Sequence, residues 1–137
     1  MALNLTMSVL VVDDSNAMVR IIRNLLLQIG FSDVDHAGDG PSALAKLLSK
    51  SYGLVISDWN MEPVTGYELL CRVRAYRGLE STPFIMVTAE SKVDNVIAAR
   101  QAGVDNYIVK PFTAQALKAK IEATFAERPM VARAVNV

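Results

Sequence analysis

An α/β fold, a doubly wound five-stranded parallel sheet, is what the sequence predicts, and three observations predict it. Short, continuous apolar runs recur at 8–12, 54–56 and 84–87, the pattern of strands buried on both faces rather than on one. Between such runs lie longer stretches whose apolar residues return every three or four positions, as in amphipathic helices. Several runs stop at acids, a hydroxyl or a lysine. These are reactive residue types at the carboxyl edge of the strands, where open α/β sheets place their ligand crevice.

The first run, 8–12, ends in Asp13 and Asp14. Ser15 or Asn16 then offers a helix cap, because a short polar side chain can accept from the free N–H groups of a first turn. Met18, Ile21, Ile22, Leu25, Leu26 and Ile29 form the apolar stripe of that helix, with Arg20, Arg23 and Gln28 opposite and Gly30 placed to end it. Residues 33–37 predict a second strand, less apolar than the others and therefore at an edge. Gly40-Pro41 opens the next helix, proline being suited to a first turn, with Leu44, Leu47 and Leu48 turned inward. The central strand begins at Leu54 and delivers Asp58. After the loop 59–65, a helix from about Gly66 carries Leu69, Leu70 and Val73 inward. Ser81-Thr82-Pro83 breaks the pattern before the strand at 84–87, which ends in Thr88-Ala89-Glu90. A helix over 93–102 closes at Gly103, and a last strand over 106–109 ends at Lys110-Pro111. Thr113 caps a final helix, with Leu117, Ile121 and Phe125 toward the sheet.

Five strands alternating with five helices imply right-handed crossovers and helices on both faces of the sheet. A flavodoxin-like strand order 2-1-3-4-5 sets the first and third strands side by side at the switch point. Asp13, Asp14 and Asp58 then converge on one crevice, with Thr88 and Lys110 on the same edge.

The 137 residues are expected to form one domain over 1–127 followed by a flexible tail over 128–137, with no appended output domain. Fourteen basic and fourteen acidic residues give no net charge, which argues against nonspecific nucleic-acid binding. Cys71 is the only cysteine, so neither an intrachain disulfide nor a thiolate metal cluster is expected. There is no basic, apolar leader and no apolar run near the roughly 20 residues that cross a bilayer. A cytoplasmic monomer, neither inserted in a membrane nor bound to nucleic acid, is the expectation.

Three carboxylates in one crevice repel, and each makes the others harder to ionise unless a cation lies between them. Mg²⁺ suits such a site, since it takes oxygen ligands and keeps several waters; two carboxylates, a backbone carbonyl and a phosphoryl oxygen would serve. Lys110 and Thr88 then suit the phosphoryl half: an ammonium neutralises one oxygen and a hydroxyl donates to another. The chemistry indicated is metal-assisted, in-line transfer of a phosphoryl group to Asp58.

Val12-Asp13-Asp14, Ile56-Ser57-Asp58, Val87-Thr88-Ala89 and Val109-Lys110-Pro111-Phe112 together resemble the receiver domain of bacterial two-component response regulators, over about 8–126. Arg23-Asn24-Leu25-Leu26, Ile56-Ser57-Asp58-Trp59-Asn60-Met61 and Met86-Val87-Thr88-Ala89-Glu90 are similar to the single-domain chemotaxis regulators of that family. The resemblance implies that Asp58 accepts a phosphoryl group from a histidine kinase. It implies that Asp14, Asp58 and the carbonyl of Asn60 bind Mg²⁺, with Asp13 acting through water, and that Thr88 and Lys110 contact the phosphoryl group. A cis peptide at Lys110-Pro111 is implied as well. So is a switch, in which the Thr88 hydroxyl moves toward the phosphate and Tyr107 turns into the space it leaves. That would remodel a partner-binding face containing Val93, Val96, Arg100, Tyr107 and Lys120. The downstream partner is a target protein, or else a phosphotransferase in a relay that uses the chain as a shuttle or sink. Asn60 and Glu90 match the members whose phosphoform is short-lived.

Two positions depart from the family pattern. Glu62 stands four residues after Asp58 where proline is usual, proline following at Pro63, and Thr65 replaces the common aspartate before Gly66. Glu62 could therefore reach the metal, or repel the phosphoryl group, and so tune Mg²⁺ affinity and phosphoform lifetime.

Several of these residues also have a blander reading. Asp13 and Asp14 alone would suit a helix cap, and Tyr107 alone an ordinary strand aromatic. His36 lacks ligand-spaced partners and belongs on the surface or at an edge strand, and Cys71 reads as a small core residue. Trp59 either faces a partner or covers the site. Gly38-Asp39-Gly40-Pro41-Ser42-Ala43 fits a loose dinucleotide-binding pattern, but Asp39 would oppose a pyrophosphate and Pro41 removes a backbone donor. A phosphomonoesterase would want a second acid where Asn60 stands.

Overall fold

A computed structural model describes residues 3–89 and 93–127, with backbone alone for 93 and 94. Its elements alternate without exception: β1 (Val9–Val12), α1 (Asn16–Ile29), β2 (Val34–Ala37), α2 (Gly40–Ser49), β3 (Leu54–Asp58), α3 (Gly66–Ala75), β4 (Phe84–Thr88), α4 (Val93–Ala102), β5 (Asn106–Val109) and α5 (Ala114–Ala126). The strands form one parallel sheet in the order β2-β1-β3-β4-β5, the order expected. Every residue of β1 and β3 is buried, as continuous apolar runs in central strands require. In β2, Asp35 is half-buried and His36 is exposed, which suits an edge.

Strand alternation divides the core in two. Val9 and Val11 of β1 pack with Ile22 and Leu26 of α1 and with Leu117 and Ile121 of α5, while Leu10 and Val12 pack with Leu47, Leu69, Leu70 and Val73 of α2 and α3. Ser15 caps α1 by accepting from the Met18 N–H at 3.2 Å, and Thr113 caps α5 by accepting from the Ala116 N–H at 3.1 Å. Gly30, at φ 123°, closes α1 in a conformation that favours glycine. Asp39 caps α2 by accepting from the Ser42 N–H at 2.7 Å. This carboxylate already occupies the helix N-terminus that a dinucleotide would need, consistent with rejecting that pattern.

Several packing expectations are corrected. Ile21 and Leu48 are 51% and 52% exposed, and the deeply buried positions of their helices are Val19, Ile22 and Leu26 in α1 and Ala43 and Leu47 in α2. Each helix rests on the sheet along a narrower stripe than its apolar residues would cover, and a small alanine sits where α2 is buried most deeply. Phe125 does pack against the core beside Leu117 and Ile121, as expected, although it is only partly buried. Cys71 is not a core residue but is half-exposed on the flank of α3, one turn beyond Tyr67.

The starts of the strands are stapled by polar groups. Arg74 donates to the carbonyls of Gly103 and Thr82 at 2.8 and 2.7 Å and to the Asp105 carboxylate at 3.0 Å, and Asp105 also accepts from the Phe84 N–H at 2.8 Å. On the other side, Lys50 pairs with Asp33 and Asp35 at 3.1 and 2.9 Å, and the Tyr52 hydroxyl donates to Asp35 at 2.6 Å. Burial, helped by that carboxylate, pushes the Tyr52 phenol up to about 12. No helix among the described residues is long and apolar enough to cross a membrane. The expected tail over 128–137, Glu90 and the side chain of Val93 lie outside the described residues.

Candidate functional site

Parallel register brings the acids together. Val12 of β1 pairs with Ser57 of β3, so the next residues along, Asp13 and Asp58, end neighbouring strands at the same level. The carboxylates of Asp13, Asp14 and Asp58 each offer an oxygen within 4.8 Å of the others. Asp13 and Asp58 are 2% and 5% exposed, whereas Asp14 faces solvent at the mouth. β4 and β5 bring Thr88 and Lys110 to the same edge, where the Lys110 N–H donates to the Thr88 carbonyl at 2.8 Å. Lys110 extends its ammonium to Asp58 Oδ1 at 3.0 Å. The Lys110-Pro111 bond is cis, as the sequence led one to expect.

Electrostatically the crevice is unfinished. Asp13 Oδ1 accepts from the Ser15 N–H at 2.9 Å, but Asp13 Oδ2 is buried with no hydrogen-bond partner. Asp58 Oδ1 is also buried, and the Lys110 ammonium meets it as an ion pair rather than as a well-aligned hydrogen bond. Burial, aided by the negative charge of Asp58, raises the Asp13 carboxyl above its ordinary range, only partly offset by the Ser15 N–H and by Lys110. Convergent carboxylates whose buried oxygens lack hydrogen-bond donors are the donor set that a hard divalent cation satisfies, so the residues present fit Mg²⁺. A crevice of about 370 Å³ opens beside them, walled by Asp14, Asn60, Met61, Glu62 and Thr65. A second cavity, of about 410 Å³, lies at the opposite end of the strands against Leu47, Lys50, Tyr52 and Arg77, away from this constellation.

Asp58 is fixed from behind. Its strand is continued by a hydrogen bond from the Trp59 N–H to the Val87 carbonyl at 2.9 Å, and the Gly66 N–H returns to the Trp59 carbonyl at 2.9 Å. A Cβ at Gly66 would lie 2.0 Å from the Asp58 carbonyl oxygen, so α3 starts against the backbone of the reactive strand. Sequence reasoning assigned no role to Gly66. The available signal was a glycine in the first turn of a helix, just after a capping Thr65, where a side chain would ordinarily be tolerated. Thr65 and Glu68 form a reciprocal capping box there, so the replacement of the family's aspartate is absorbed as a helix start. The Glu62-Pro63 bond is cis, and Glu62 is exposed on the crevice wall.

Of the residues expected on one partner face, Val96, Arg100 and Lys120 lie around Tyr107, and the side chain of Val93 is outside the described residues. Val96 and Tyr107 border a small apolar pocket with Thr88, Met86, Ala99 and Trp59, and Arg100 borders a neighbouring polar pocket with Tyr107 and Glu127. The Lys120 ammonium lies 5.0 Å from the Tyr107 ring centroid, within cation–π range. Trp59, half-buried, stacks on Tyr67 with centroids 5.6 Å apart and covers this pocket rather than standing free.

Comparison with known proteins agrees with this arrangement. Residues 9–122 match the response regulator receiver domain family. The chain is 51% identical over 119 residues to the chemotaxis protein CheY of Pseudomonas aeruginosa, covering 87% of this chain and 96% of that protein. It is 46% identical over 123 residues to chemotaxis protein CheY-3 of Vibrio cholerae, covering 90% and 95%. Among solved structures, chemotaxis protein CheY4 of Vibrio cholerae superposes with a TM-score of 0.82 at 31% identity, over 87% of this chain and 98% of that one.

Proposed function

This chain belongs to the response regulator receiver family, and from that premise we propose that it takes a phosphoryl group from a histidine kinase onto Asp58 and signals through its α4–β5–α5 face, in chemotaxis. One observation carries the proposal: three convergent carboxylates, two of them buried, with Lys110 paired to Asp58 at 3.0 Å. Asp14, Asp58 and the Asn60 carbonyl would hold Mg²⁺, with Asp13 acting through water, and the bound ion would supply positive charge to the phosphoryl oxygens. An Asp58 carboxylate oxygen bonds to phosphorus as the P–N bond of the kinase phosphohistidine breaks, the imidazole leaving with the electron pair. Lys110 shifts its charge from the free carboxylate to a phosphoryl oxygen, and the Thr88 hydroxyl donates to another. Gly66 keeps the Asp58 backbone in place while this happens.

The readout follows from the same residues. Thr88 and Tyr107 border one pocket, so movement of the Thr88 hydroxyl toward phosphate alters the wall against which Tyr107 and Val96 pack. A partner that prefers the altered face must in return favour phosphorylation, because the coupling is reciprocal. Asn60 and Glu90 tune loss of the phosphoryl group, and hydrolysis within minutes is expected. Capture of partners with and without a beryllofluoride phosphoryl mimic tests the proposal. Mimic-dependent capture of a non-kinase chemotaxis target is the expected result. Capture of kinases and phosphotransferases alone would replace the effector by a relay shuttle or sink.

A further inference from the structure

We infer that Glu62 makes the crevice discriminate among small phosphodonors by charge, disfavouring a dianion relative to a donor of smaller net charge. The inference rests on the proposed transfer to Asp58 and concerns a residue to which that transfer assigns no step. Glu62 walls the 370 Å³ crevice together with Asp14, Asn60 and Thr65, so anything entering beside the acid cluster passes its carboxylate. It is exposed and has no hydrogen-bond or ion-pair partner among the described residues, so its charge is not neutralised locally. Asp13, Asp14 and Asp58 bring three negative charges and Lys110 one positive; a bound divalent cation would cancel the remaining two. Glu62 is then the charge that leaves a loaded crevice anionic.

A dianion such as acetyl phosphate meets that charge unscreened. Its P–O bond to acetate breaks as the Asp58 oxygen bonds to phosphorus, and acetate leaves with the electron pair; the donor itself carries no positive charge to set against Glu62. Phosphoramidate carries an ammonium group and a smaller net charge; its P–N bond breaks and ammonia leaves. Charges several ångströms apart near a surface alter rates by several-fold at low salt and lose their influence once the Debye length falls to about 3 Å at 1 M salt.

The experiment measures phosphorylation rates of full-length wild-type, Glu62→Gln and Glu62→Lys proteins by Trp59 fluorescence, at saturating Mg²⁺ determined separately for each. The acetyl phosphate to phosphoramidate rate ratio should rise about threefold to tenfold in Glu62→Gln at low ionic strength, further in Glu62→Lys, and converge on wild type at high salt. An unchanged ratio, or a change that survives high salt, overturns the inference. Intact-mass measurement of the same samples separates this from failure of the premise: wild-type protein phosphorylated at Asp58 with an unchanged ratio removes only the role of Glu62, whereas no phosphorylation by either donor removes the proposed transfer itself.

Discussion

A methyl group at Gly66 would stand 2.0 Å from the carbonyl oxygen of Asp58, closer than any packing tolerates, so either α3 or the end of β3 must move to accommodate one. The nearest other neighbour, Met86 Sδ at 3.0 Å, can yield, but the backbone cannot yield without moving Asp58. Gly66→Ala should therefore cost about 1–3 kcal/mol of stability, the usual range for forced overpacking. It should also slow phosphorylation at least about tenfold, because displacement of a nucleophile by a fraction of an ångström is felt strongly in rate. Urea unfolding and phosphorylation kinetics on one preparation check both; full activity would mean that Gly66 positions nothing. Asp58, Asp13, Lys110 and Thr88 could be singled out from the sequence because a reactive residue after an apolar run has few structural reasons to be there. Gly66 could not, since its role depends on a backbone eight residues earlier in the chain that only the fold brings against it.

At the scale of elements, the site is held open by helices that are anchored far from it. Arg74, in the last turn of α3, ties the α3–β4 and α4–β5 connections together through two carbonyls and Asp105, with both charged side chains mostly buried. Removing the guanidinium takes away a mostly buried ion pair and two hydrogen bonds to carbonyls, so Arg74→Ala should lose about 3 kcal/mol in equilibrium unfolding. A loss under about 1 kcal/mol would show that the staple is no stronger than a surface ion pair. The strands and the order of the elements were legible because continuous apolar runs and helical periods alternate in a regular way. Which helix positions are buried was less legible: Ile21 and Leu48 repeat at helical spacing yet face solvent, while Val19 and Ala43 are covered. Periodicity reports a face, but the sheet beneath decides how wide that face is. The Thr65-x-x-Glu68 spacing is itself a helix-start signal, legible in the sequence without the fold.

For the molecule as a whole, the acid cluster sets stability against function. Asp13 is buried with one oxygen unpartnered, and burial raises its carboxyl above the ordinary value of 3.8. A carboxyl whose folded value is raised is disfavoured when ionised. The metal-free protein therefore loses stability from this group as pH climbs past 3.8 through the raised value, and regains it as pH falls. Asp13→Asn should raise metal-free stability at neutral pH, yet weaken the stabilisation that saturating Mg²⁺ gives the wild-type protein by mass action. Thermal unfolding with and without Mg²⁺ reads both effects, and a variant less stable without metal would contradict this account of the cluster. The most direct test of the central claim is the mass of the intact protein after incubation with phosphoramidate and Mg²⁺, followed by borohydride trapping and peptide mapping. One phosphoryl group on the intact protein, and homoserine in place of Asp58 in the peptide mapped after borohydride reduction, both absent without Mg²⁺ and absent in Asp58→Asn, is the predicted result. Incorporation that persists in Asp58→Asn at the wild-type level, or none in the wild-type protein, would contradict it.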